Sequence, residues 1–203
     1  MSTDIYKTIE SPAEGFFKDR GSKFFTYAYP VRTEEEIKEH LVLLRELHPK
    51  AVHHCYAWRL GLDRNRFRAN DDGEPSGSAG RPILNTLYSA DVTNILVVVV
   101  RYFGGTLLGV PGLINAYKVS TEDALQNATI VEKNVTDYYS LLYPYEKMNA
   151  VMRIIKEMDL VTYDQKFDMD CQLKVEVRQS ISETFLAKCE KVDLLQVEYL
   201  FTV

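Results

Sequence analysis

Two stretches of the chain hold most of the side chains able to do chemistry. Asp71-Asp72-Gly73-Glu74 places three carboxylates within four residues. Carboxylates this close repel one another, so they need a cation, neighbouring arginines or free N–H groups at a helix start. As a cleft they would supply a general acid and base, or ligands for a divalent metal. As a solvated turn they would be N-capping acids. The spacing is not that of an EF-hand, which alternates its ligands and ends on a distal Glu. Nor is Gly73-Glu74-Pro75-Ser76-Gly77 a nucleophile elbow, since its serine stands one residue late.

His53-His54-Cys55 is the second stretch. Neighbouring side chains on a strand point to opposite faces, so His53 and Cys55 share a face while His53 and His54 do not. No second Cys/His pair stands at zinc spacing, and Cys171 and Cys189 are far off in sequence. A buried thiol and a hydrogen-bonded histidine are expected, with no metal and no cofactor assigned. The catalytic candidates are therefore Asp71, Asp72, Glu74 and His53.

Binding candidates come from a different pattern. The run 97–112 reads as a strand, a glycine loop (Gly104, Gly105) and a helix start, an order that can present backbone N–H groups to an anion. A Walker A loop is excluded, because Val110-Pro111 stand where Lys-Ser/Thr is needed. Arg101 follows the apolar strand, at the end where ligands gather in open α/β sheets. An ion pair with the acidic loop would serve it equally. Arg59, Arg64, Arg66 and Arg68 fall on one hairpin with Asp63 as the only acid among them. With Arg81, Arg101, Trp58, Tyr102 and Phe103 they would offer phosphate contacts beside stacking rings, as single-stranded RNA requires. The candidate binding set is Arg64, Arg66, Arg68, Arg81, Arg101, Tyr102, Gly104 and Gly105.

The elements that must position these groups are legible in outline. Phe25, Tyr27, Tyr29 and Val31 alternate as in a strand. Thr33-x-x-Glu36 is a capping box that starts a helix with Ile37, Leu41, Leu44 and Leu47 on one face. Residues 53–60 and 66–70 form a hairpin. Ser78 is a candidate N-cap for a helix through Ile83, Leu84 and Leu87. Residues 94–100 have no polar face and should lie in a sheet covered on both sides. A helix carrying Leu113, Tyr117, Thr121 and Leu125 follows. Beyond residue 132 the order is β-α-β-β-α-β, the ferredoxin-like arrangement, with a second capping box at Ser180-x-x-Glu183. The reading is α+β with two domains, 1–132 and 133–203.

Composition bounds the function classes. The 203 residues carry 24 Lys+Arg against 29 Asp+Glu, a net charge of −5, so a generally basic nucleic-acid coat is excluded and any such site must be local. The apolar fraction of 46% excludes a disordered chain. No apolar run is long enough to span a bilayer, and the first residues lack the pattern of a secretory signal. Three cysteines, an odd number, point to a reducing compartment rather than a disulfide framework. A cytoplasmic monomer without membrane contact is expected.

Four blocks resemble the YigZ/IMPACT family: Gly21-Ser22-Lys23-Phe24, the run 53–58 from His53 to Trp58, the run 70–82 from Asn70 to Pro82, and residues 98–117. The second domain is similar to a small ferredoxin-like domain of translation elongation factor G. The resemblance implies a ribosomal-protein-S5 domain-2-like fold for the first domain. It also implies a translation-linked regulatory role, with RNA, the ribosome or a translation factor as partner. Two departures matter: Pro111 stands where the family has glycine, and Asn115 where it has a basic residue, with Lys118 as a substitute. The alternatives are an enzyme acting on a small anionic substrate at the 71–74 loop and a protein-interaction module. A binding role without catalysis is favoured.

Overall fold

The computed structural model describes residues 4–62 and 65–203. The chain divides into two compact units, one of residues 6–133 and one of residues 134–203 joined by the N-terminal residues up to Ile5. The protein is α+β in both.

The larger unit opens with β1 (Ile5–Ile9), β2 (Ala13–Asp19) and β3 (Ser22–Pro30), followed by α1 (Glu34–Leu47), β4 (His53–Leu60) and β5 (Arg66–Asn70). Then come α2 (Gly80–Ser89), β6 (Ile95–Tyr102), α3 (Gly109–Asn127) and β7 (Ile130–Asn134). Five strands form one sheet in the order β2-β3-β6-β4-β5, and β1 pairs with β7 in a two-stranded sheet. Every neighbouring pair in the large sheet is antiparallel. Arg101 therefore does not sit at the carboxyl end of a parallel sheet, as the open α/β rule would have it. It is an interior residue of the central strand.

β6 owes its place to its sequence. Ile95 to Val100 are all fully buried, because both faces of the strand are covered. Its odd-numbered side chains join Phe24, Ala28, Cys55 and Ala57 under α2 and α3. Its even-numbered ones join Tyr56, Trp58 and Leu60 under α1. The unit thus has three layers, with α1 on one side of the sheet and α2 and α3 on the other. α1 starts at the predicted cap: Thr33 Oγ1 accepts the Glu36 N–H, while Glu36 Oε2 reaches back one residue past the cap and accepts the Arg32 N–H. Ile37 and Leu44 anchor it, whereas Leu47 is exposed rather than part of the stripe.

The smaller unit runs β8 (Thr136–Pro144), a single 3-10 turn at Tyr145–Lys147, α4 (Met148–Glu157), β9 (Val161–Lys166), β10 (Asp170–Arg178), α5 (Gln179–Cys189) and β11 (Gln196–Thr202). Its sheet order is β11-β8-β10-β9, the ferredoxin-like topology. Alternate residues Leu173, Val175 and Val177 of β10 are buried with Tyr139, Leu141 and Phe185. Ser180 is not the N-cap of α5, which is Arg178. It lies in the first turn, where its N–H and hydroxyl both donate to the Asp4 carboxylate. The cap is thus supplied from the N-terminus, and the capping box is not formed.

Candidate functional site

The three carboxylates after β5 turn in three directions. Asp71 is the cap of α2: its Oδ1 accepts the N–H groups of Ala79 (3.1 Å) and Gly80 (2.8 Å), and its Oδ2 accepts that of Gly77 (2.9 Å). Ser78, the candidate cap, instead donates its hydroxyl to Pro75 O. Asp72 takes a left-handed backbone, φ 41°. Its Oδ2 accepts the His54 N–H at 2.7 Å and its Oδ1 faces Arg45 Nη2 at 2.9 Å. Partial burial resists ionisation of Asp72, but the His54 N–H and Arg45 outweigh it and hold the carboxyl below its ordinary range. Glu74 turns inward. Among the described residues no three His, Cys, Asp or Glu side chains converge to hold a metal. The metal alternative for this loop therefore finds no support in the geometry.

Glu74 is the centre of a buried network. β-Sheet register places His53 directly opposite Arg101, on the face toward α2 and α3. The Arg101 Nη1 donates to Glu74 Oε1 at 2.6 Å, and Tyr117 of α3 donates its hydroxyl to the same oxygen at 2.8 Å. Side-chain exposure is 7% for Arg101 and 3% for Glu74. Cys55 Sγ lies 3.2 Å from the Tyr117 hydroxyl and 3.0 Å from Asp71 O. Burial pushes both the Cys55 thiol and the Tyr117 phenol far above their ordinary values. They stay protonated, so Cys55 is a packed thiol and not a nucleophile. His53 Nδ1 lies 2.7 Å from Asp72 O. A carbonyl only accepts, so Nδ1 carries a proton, and Nε2 faces Glu74 Oε2 at 3.9 Å.

Above this network lies a cleft of about 390 Å³ lined by His53, Glu74, Pro75, Arg101, Phe103 and the start of α3. The acidic loop, Arg101 and the segment leading into α3 thus meet in one place. Gly104 and Gly105 play other parts. A Cβ on Gly104 would stand 1.9 Å from Gly21 C, and the Gly104 N–H already donates to Ser22 Oγ. Gly104 therefore serves close packing of the chain against the β2–β3 turn. Gly105 faces open space with φ 87°.

Among the described residues the arginines do not form one surface. Arg66 and Arg68, opposite Leu60 and Trp58 on edge strand β5, are exposed on the α1 side, and Arg66 pairs with Glu34. Arg59 and Arg101 are buried on the opposite side. Arg81 is exposed on α2, and Arg64 lies outside the described residues. Trp58 is buried too, and so offers no stacking face.

A basic aromatic face occurs elsewhere. Arg20 (φ 43°) and Gly21 (φ 82°) form the two-residue turn of the β2–β3 hairpin, the type I′ geometry that suits its twist. The register pairs Lys18 with Lys23 and Phe16 with Phe25, all on the α1 side. Tyr102 stands opposite Lys23 on β6. The Phe16 and Phe25 ring centroids are 5.0 Å apart, and Tyr102 meets Phe25 edge-on at 5.8 Å. Gly21, Lys23, Phe25, His48, Tyr102 and Phe103 line a hollow of about 400 Å³. Of this set the sequence reading named Tyr102, Phe103 and the Lys23 block. It missed Phe16 and Lys18, whose signal is the alternation Phe16-x-Lys18 ahead of an Arg-Gly turn.

Comparison with known proteins follows the same blocks. Residues 20–125 match the Impact N-terminal domain. The chain is 33% identical to the IMPACT family member YigZ of Escherichia coli over 82% of this chain and 83% of that protein. It is 29% identical to the IMPACT family member YvyE of Bacillus subtilis over 89% and 83% of the two chains. A crystal structure of a hypothetical protein, 29% identical, superposes over 98% of both chains with a TM-score of 0.75. With one domain matched over half its length and relatives aligned through both units, the chain belongs to the IMPACT family.

Proposed function

We propose that this protein is a translation-linked regulator that binds RNA, alone or within the ribosome, through the basic aromatic face of its larger unit. The reading rests on one observation: the β2–β3 register sets Lys18 and Lys23 beside Phe16, Phe25 and Tyr102, around a hollow large enough for a base. Lysines neutralise phosphates while unstacked bases lie on aromatic rings. Arg66 and Arg68, at the far edge of the same side of the sheet, extend the positive contacts. The net charge of −5 makes this a local site, so binding should weaken steeply with salt.

Fluorescence anisotropy with a labelled single-stranded RNA tests it. The Lys18→Glu/Lys23→Glu variant should lose most of its affinity at low salt, and Phe16→Ala should weaken binding by roughly 1–3 kcal/mol of stacking. Equal affinity for wild type and the double lysine variant would overturn the reading.

A further inference from the structure

The N-terminal half of α3 is apolar on both sides. Leu113, Ala116 and Tyr117 face inward and are buried with the core. Val110 and Ile114 face outward, 47% and 41% exposed, with exposed Pro111 beside them. Leu107, just ahead of the helix, is 81% exposed. Leu107 and Val110 line one cleft, and Val110 and Ile114 stand one turn apart, so the three make one strip. A helix that is apolar all round is ordinarily covered all round. An exposed apolar strip of this kind marks a surface that meets another molecule.

The strip runs into a groove between α2 and α3. Arg81, Asn85 and Ser89 stand at successive turns of α2, and Ile114, Lys118 and Glu122 at successive turns of α3. These two rows enclose about 440 Å³. Rows at i, i+4 and i+8 are the ridges between which a further helix packs. The face is apolar from Leu107 to Ile114 and cationic at Arg81 and Lys118. Lys118 lies about 12 Å along the helix axis from Val110. Arg81 forms no ion pair among the described residues. Lys118 reaches Glu122 at 3.7 Å, an exposed pair that holds it only weakly. Aliphatic side chains offer no ring on which a base could stack, so RNA fits this face poorly. A polybasic membrane site gathers about 4–8 Lys or Arg, and this groove has Arg81 and Lys118. We infer that the α2–α3 face docks an acidic amphipathic helix of another protein. Apolar side chains at i, i+3/i+4 and i+7 of that helix lie on Leu107, Val110 and Ile114, and its carboxylates meet Arg81 and Lys118. The groove lies across the sheet from Lys18 and Lys23, which face α1, so neither reading rests on the other.

Selection of a display library of random peptides, about 16 residues or four helical turns long, against the full chain tests the inference. Enriched sequences should combine apolar residues at helical spacing with more than one Asp or Glu. The most enriched peptide, synthesised with a fluorophore, should bind by anisotropy, and a proline at its centre should abolish binding by breaking the helix. Ile114→Glu and Arg81→Glu change exposed helix positions and should melt as wild type, yet each should weaken the peptide about tenfold or more. The Arg81→Glu protein should regain affinity for a peptide whose carboxylates are replaced by lysines, which a damaged fold would not do. No enrichment, enrichment of basic or uncharged sequences, tolerance of the central proline, or unchanged binding in either variant would each overturn it. Loss of RNA or phosphatidylserine-vesicle binding in Ile114→Glu would give the face to one of those ligands and overturn it too. The Lys18→Glu/Lys23→Glu variant leaves this groove intact, so failure here and failure of RNA binding are separate results.

Discussion

Glu74 shows how one residue sets the chemistry of a site. Its carboxylate receives Arg101 and Tyr117, with both Glu74 and Arg101 largely buried. Removing one member of such a pair leaves an uncompensated buried charge, at a cost of about 3–5 kcal/mol. Arg101→Met should therefore destabilise the protein by that amount in a denaturant titration. The double change Glu74→Leu/Arg101→Met should recover much of the loss, because the remaining charge is gone. Full additivity of the two single losses would contradict the pairing. The acidic loop also fixes a pH dependence. Burial lowers His48 and His54 below the ordinary imidazole value of 6.5. The unfolded chain then binds more protons than the folded one, so stability is complete above pH 6.5 and falls as the pH drops from there toward the folded values. Asp72 adds a second decline below its ordinary 3.8, where protonation cancels its bonds to His54 and Arg45. Melting temperatures between pH 8 and 3 should show both declines; Asp72→Asn should remove the lower one and, by taking away the carboxylate that raises His54, leave the upper one at least as large.

Elements decide which residues meet. Asp71 caps α2 from eight and nine residues upstream, and Asp4 caps α5 from 176 residues away. Neither is a local pattern, so the sequence offered Ser78 and Ser180, the nearest hydroxyls, for both tasks. Thr33 was legible because its cap is local. Thr33→Ala should cost about 1 kcal/mol, measured as a shift in the unfolding midpoint. Period-2 alternation explains the arginines in the same way. Counted along the chain they form a cluster. Strand geometry sends Arg59 to one side of the sheet and Arg66 and Arg68 to the other, and burial closes over Arg59 and Arg101. The adjacent glycines make a paired test. Gly104→Ala drives a methyl into the Gly21–Ser22 backbone and should be strongly destabilising, whereas Gly105→Ala meets only its positive φ and should cost about 1 kcal/mol. Equal losses for both would remove the close approach from the account.

At the scale of the whole molecule, the central strand was readable from its unbroken apolar run, and the βαββαβ order from its alternating and helical periods. β1, β2 and β7 were not, since five- to seven-residue strands without an apolar stripe give no clear signal. The basic aromatic face was hidden for that reason: half of it lies on β2. No helix among the described residues is long and apolar enough to cross a membrane. The net charge remains acidic, yet charge is read locally by RNA, within about a Debye length of each phosphate. The most direct measurement is therefore co-sedimentation of the protein with ribosomes and extracted RNA at low and high salt, wild type against Lys18→Glu/Lys23→Glu. Wild type should sediment with them at low salt and be released at high salt, while the variant should stay in the supernatant at both. Sedimentation of the two proteins to the same extent at low salt would contradict it.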